Sequence, residues 1–298
     1  MNRRTFLSLG AAALAAAQPT KKQLIVHADD VGMCHSVNVA SIKALSTGAV
    51  QSASIMMPCP WVSEIAAWAR DNSRADLGLH LTLTSEWIRY KWRPLSPPSA
   101  VPNLLDPDGF LFRDVRSVAT RATAAEVETE LRAQIAFARK LGIAFTHFDT
   151  HMGTLYARKD YFDVYTKLAK EHSVPCMIPR PSEATRAQVS QYPITEEMLA
   201  QKGREGFPLL DWLVTGVPGN TVEERKASYR KFLRELKPGV TKLIVHLAMD
   251  DPEIRAVTNS WEQRWADFLF FTSDEARALM KELDIEPFTY RQLGSPKA

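Results

Sequence analysis

Four short apolar runs in this chain each carry an acid or a histidine at the last or next-to-last position: LIVHADD (Leu24 to Asp30), ADLGLHL (Ala75 to Leu81), FTHFDTH (Phe145 to His151) and KLIVHL (Lys242 to Leu247). A strand buried on both faces reads as an unbroken apolar run, and ligand-type residues at its carboxyl end mark the rim where an α/β sheet builds its site. The pattern constrains fold and function together. Several parallel strands must bring carboxylates and imidazoles to one place, as a divalent metal site requires.

Strand-like segments fall near residues 23–29, 53–57, 76–82, 144–150, 176–179, 207–213, 241–247 and 286–290, with amphipathic stretches between them. Thr123 with Glu126, Thr221 with Glu224, and Thr272 with Glu275 each have the spacing of a capping box. After the first, Val127, Leu131, Ile135 and Ala138 recur at helical spacing and Gly142 follows the last turn. This rhythm predicts an α/β fold, a TIM-like (β/α) barrel of seven to eight strands, distorted or incomplete, in a single domain over residues 18–298. With 298 residues and 45% hydrophobic content the chain can bury a core of that size. Two excursions break the rhythm. Residues 84–122 hold Trp87, Tyr90, Trp92 and several prolines, and residues 181–206 form a second polar stretch.

The formal charge is +3, of which Arg3 and Arg4 supply two. No run of basic residues interleaved with aromatics is present, which argues against nucleic acid as the main partner. Cys34, Cys59 and Cys176 are odd in number and lack CxxC spacing, so free structural thiols are expected. At the amino terminus, Arg3-Arg4 precedes an apolar stretch from Phe6 to Ala17 that is too short to make a stable membrane span. Residues 1–17 read as an export signal of twin-arginine type, with an ordinary secretory signal as the alternative. A periplasmic location is the expectation.

Asp29 and Asp30 sit where the first strand gives way to Val31-Gly32. Adjacent side chains on a strand point to opposite faces, so one acid could bind a metal while the other takes a proton from water. A turn and a helix cap would also use such a pair. His80 follows Gly78 on one face, the small residue leaving room beneath the ring, and a satisfied core histidine is the plainer reading of it alone. His147, Asp149 and His151 fall at period two, and three polar residues on an inner face are unfavourable unless paired or metal-bound. His151 lies nearest the carboxyl end. Asp149 is then placed to orient a ligand from behind.

The strings HADDVGM, GLHLTLT and THFDTHMGTLY resemble the ADDFG, GLHL and THxDSH motifs of the YdjC/ChbG-like carbohydrate deacetylases, relatives of the polysaccharide deacetylase superfamily. With Pro179-Arg180-Pro181 and the late IVH run, the resemblance covers roughly residues 22–292. It implies that Asp30, His80 and His151 hold one divalent metal ion, magnesium or zinc, that Asp29 is the catalytic base, and that His246 is an acid or oxyanion partner. His246 is followed by Leu247 where the family usually has proline, and Met152-Gly153-Thr154 stands where further histidines are common. The implied activity is hydrolysis of the N-acetyl group of an amino sugar or oligosaccharide. Trp87 and Trp92 are candidates to face a pyranose, as is Arg180 for substrate binding; pinning the long loop is the competing role for the two tryptophans. A homodimer is compatible with the sequence. Two rivals are a non-catalytic periplasmic carbohydrate-binding protein on the same scaffold, and a non-haem iron oxygenase using His147, Asp149 and His246.

Overall fold

Ten consecutive residues, Lys22–Val31, form the central strand β1, and all but its first two are buried. The computed structural model describes residues 19–183, 185–186 and 190–297, so the expected export signal lies outside the described residues. After β1 come β2 (Ser52–Ile55), β3 (Asp76–Leu81), β4 (Phe148–Thr150), β5 (Trp212–Val214), β6 (Gly239–His246) and β7 (Ile285–Pro287). Their order is β4-β3-β2-β1-β6-β5, and every pairing is parallel. One edge of β1 lies along β6. The other is shared, with β7 against Lys22–Leu24 and β2 against the later half.

The strand expected at 176–179 is reduced to two isolated bridges, Phe148 with Cys176 and Pro179 with Leu210. Pro175, Pro179 and Pro181 lack the N–H groups that a ladder needs. The stretch still links the ends of the sheet: Met177 N–H donates to Phe148 O at 3.0 Å, and Arg180 N–H to Leu210 O at 2.7 Å. The sheet thus curls into a half-barrel of parallel strands flanked by helices, a distorted TIM-like barrel in a single α/β domain.

Capping boxes open the helices Ala124–Lys140 and Val222–Arg234 at Thr123 and Thr221. The third expected box does not form. Thr272 closes the helix Trp261–Phe271, Ser273 caps Asp274–Glu282 by accepting Ala276 N–H, and Glu275 pairs with Arg230 instead. The helix Ala124–Lys140 buries Val127, Leu131, Ile135 and Ala138, and also Glu130 and Gln134. These two polar residues are tethers. Gln134 pairs with both backbone groups of Thr82, just past β3, and the Glu130 carboxylate accepts Leu95 and Ser96 N–H at 3.0 and 2.9 Å. The long excursion is thereby anchored beside the carboxyl ends of the strands. Cys34, Cys59 and Cys176 are free and buried. Among the described residues no helix is long and apolar enough to cross a membrane.

Candidate metal centre

Between Ala28 and Val31, β1 advances one residue more than β2, a bulge that interrupts the register. Asp30 sits in the bulge with φ of 64°, a left-handed conformation that aspartate adopts more readily than most residues. The bulge overrides strand alternation, so the two acids do not face opposite ways. Asp29 Oδ2 and Asp30 Oδ1 lie 3.7 and 3.5 Å from the same atom, His80 Nε2.

His151 closes the group from the turn after β4, where Met152 and Gly153 both take positive φ. Its Nδ1 is 3.4 Å from Asp30 Oδ1 and 3.2 Å from His80 Nε2. Donors about 2.0–2.2 Å from a common ion lie roughly 3.3–3.6 Å apart in a tetrahedral arrangement. Asp30, His80 and His151 therefore have the spacing and chemistry of a three-residue metal site, and all three are buried. The buried Asp30 Oδ1 has no hydrogen-bond partner, which suits an atom reserved for an ion.

The electrostatics agree. Burial alone would raise the Asp30 carboxyl, but the Arg264 guanidinium and the His151 and His80 imidazoles close to it hold it well below the usual range. Burial would depress His151, yet Glu86 and Asp30 outweigh it and hold its pKa at about 9; burial would likewise depress His80, but Asp149 and Asp29 raise it well above the usual imidazole value. The cluster demands positive charge, which a divalent cation can supply in place of the imidazole protons.

Asp149 stands behind His80, accepting its Nδ1–H at 2.6 Å. The other carboxylate oxygen meets Lys242 Nζ at 2.8 Å, His27 Nε2 at 2.9 Å and the Ser54 hydroxyl at 3.0 Å. His27, His147 and Asp149 also lie close enough to suggest a metal site. There the Lys242 ammonium already sits against the carboxylate, and His147 lies flat on Tyr290 at 3.9 Å with Nδ1 on Thr146. The oxygenase triad is not assembled either: His246 faces Asp30 Oδ2 at 3.8 Å, outside that group. A Cβ on Gly78 would come within 2.3 Å of His147 Nε2, so the ring that needs this glycine is His147, not His80.

Two participants escaped the sequence reading. Arg264, buried on the helix Trp261–Phe271, donates from Nη2 to Asp30 Oδ2 at 2.7 Å, leaving Oδ1 for the ion. Glu86, in the loop after β3, meets His151 Nε2 at 2.9 Å. Neither belongs to a motif; the one signal was Glu86 standing beside Trp87 in a loop too long to be a mere connector.

Asp29 and His246 border a cavity of about 330 Å³, with Tyr156, Tyr192, Leu213 and Ile244 among its walls. His246 also borders a more polar cavity with Gln263 and Arg264. Asp29 Oδ1 has no hydrogen-bond partner, and burial pushes the Asp29 pKa up to about 6 against the pull of His80 and Lys242. Burial, with Arg264 adding to it, depresses the pKa of His246 despite Asp30. The aromatic candidates fare differently. Trp92 is 3% exposed, bonds Thr84 O through its indole N–H, and packs on Trp87, Tyr90 and His151, so it pins the loop. Trp87 is half-buried beneath the Arg264 guanidinium, and neither tryptophan lines these cavities. Arg180 is not brought to the site. It is exposed and bonded to Asp211, whose carboxylate takes Val240 N–H at the opposite end of β6 from His246.

The family of YdjC-like proteins is matched over residues 23–282. A protein named carbohydrate deacetylase from Thermus thermophilus is 34% identical over 273 residues, covering 91% of this chain and 93% of its own. One named chitooligosaccharide deacetylase from Yersinia enterocolitica is 30% identical over 180 residues, covering 59% and 67%. A crystal structure from Enterococcus faecalis V583, of a protein for which cellobiose-phosphate cleavage has been suggested, superposes with a TM-score of 0.76 at 22% identity, covering 92% of this chain and all of that one. That likeness supports the fold.

Proposed function

Since the chain belongs to the YdjC-like family, we propose that it is a metal-dependent carbohydrate deacetylase, hydrolysing the N-acetyl group of an amino sugar or oligosaccharide. The observation that carries this reading is the convergence of Asp30 Oδ1, His80 Nε2 and His151 Nδ1 beside Asp29, whose Oδ1 has no hydrogen-bond partner. Two imidazoles and one carboxylate suit zinc better than magnesium, which prefers an all-oxygen set.

When bound, the ion polarises the amide carbonyl and lowers the pKa of the attacking water. Asp29, with its pKa near 6, is ionised at neutral pH and accepts the proton that the water gives up. His246, held neutral by its depressed pKa, can donate one N–H to the carbonyl oxygen as negative charge develops there. Asp29 then returns the proton to the departing nitrogen. Carbon–nitrogen cleavage yields acetate and a free amino sugar. The cavity bordered by Asp29 and His246 supports this reading, offering room for an acetamido group and its sugar beside the proposed base.

Acetate release from a panel of N-acetylated mono- and oligosaccharides tests the activity. The zinc-loaded protein should release acetate from at least one of them. Binding of an acetylated sugar without any release would make the chain a binding protein instead. Export to the periplasm through Arg3-Arg4 belongs to the same proposal.

A further inference from the structure

The strand β6 carries a lysine in the middle of an apolar run. Lys242 is fully buried, with its ammonium 2.8 Å from Asp149 Oδ2, 3.5 Å from Met177 Sδ and 5.6 Å from the centre of the Tyr290 ring. An ammonium in such surroundings is strongly unfavourable unless a carboxylate answers it, and Asp149 is its one carboxylate partner among the described residues. Lys242 takes no direct part in the proposed hydrolysis.

The two oxygens of Asp149 are divided between two tasks. Oδ2 is held deep in the barrel by Lys242, His27 and Ser54, while Oδ1 accepts only His80 Nδ1–H. With Nδ1 occupied, the His80 ring can turn only Nε2 toward Asp30 Oδ1 and His151 Nδ1. We propose that Lys242 is a positioning residue for the metal site, anchoring Asp149 Oδ2 so that Oδ1 aims His80 Nε2 at the other two donors. The inference rests on the metal reading of Asp30, His80 and His151. It adds to that reading a residue that touches neither the ion nor the substrate.

The test is zinc affinity of the apoprotein, measured by competition with a chromophoric chelator, with folding checked by near-ultraviolet circular dichroism. Four proteins are compared: wild type, Lys242→Met, Asp149→Asn and the double variant. Each single substitution should weaken zinc binding by about 10- to 100-fold, the usual effect of removing a partner behind a metal ligand. Because Lys242 acts through Asp149, the double variant should bind zinc no more weakly than Asp149→Asn alone. The double variant leaves no unpaired charge from this pair, so it remains informative if Lys242→Met fails to fold. A folded Lys242→Met protein within about twofold of wild-type affinity would overturn the proposal. So would a double variant that binds zinc about tenfold more weakly than Asp149→Asn. Wild-type protein that takes up no zinc would instead contradict the metal site itself, so the two failures are distinguishable.

Discussion

Asp29 and Asp30 are neighbours in sequence, yet their carboxyl pKa values are shifted in opposite directions. Burial raises both carboxyls, but Arg264 bonds only Asp30, which stays well below the usual range while Asp29 rises to about 6. That difference divides the labour between base and ligand. Asp29→Asn should keep its metal and lose kcat by on the order of 10²- to 10⁴-fold, the usual worth of a general base. Asp30→Asn should lose metal affinity first, because a neutral amide is a poorer ligand for a divalent ion. Metal content and turnover of the two variants, measured side by side, check this; normal turnover by Asp29→Asn would remove it from the mechanism. The pair and its histidine partners were legible as HADD, GLHL and THFDTH because each motif carries its donors in register. Arg264 was not legible: it reaches Asp30 across 234 positions from a helix with no motif. Nor was the bulge at Asp30, since strand periodicity assumes that no residue is inserted.

At the scale of elements, the helix Ala124–Lys140 shows how a core-facing helix can serve the site as well as the barrel. Its buried Gln134 accepts Thr82 N–H at 3.0 Å and donates to Thr82 O at 2.6 Å, fixing the chain where it leaves β3 just beyond His80. Gln134→Leu would leave two buried backbone groups unpaired and should lower stability by about 1–3 kcal/mol for each that stays unsatisfied. Chemical denaturation checks this, and a midpoint unchanged from wild type would show that other groups satisfy Thr82. The capping boxes at Thr123 and Thr221 were readable because they are local. The matching spacing at Thr272 misled, because Ser273 competes for the cap and Glu275 finds Arg230 on a neighbouring helix. The segment 176–179 had the apolar content of a strand, and its prolines limited it to single bridges.

For the whole molecule, the parallel order β4-β3-β2-β1-β6-β5 places β3 and β4 side by side and β1 against β6, so donors far apart in sequence meet at one end of a half-barrel. The alternation of strands and helices made this fold class readable. The near-closure through 175–180 was not, because it depends on isolated bridges. If export follows the twin-arginine route, replacing Arg3 and Arg4 by lysine should trap precursor in the cytoplasm, whereas normal periplasmic accumulation in a fractionation assay would point to the general secretory route. The most direct measurement is a zinc titration of the apoprotein while acetate release from a responsive N-acetylated sugar is followed. Activity should rise from near zero and level off at about one equivalent of zinc, as a single three-residue site requires. Full activity in the metal-free, chelator-treated protein would contradict the account.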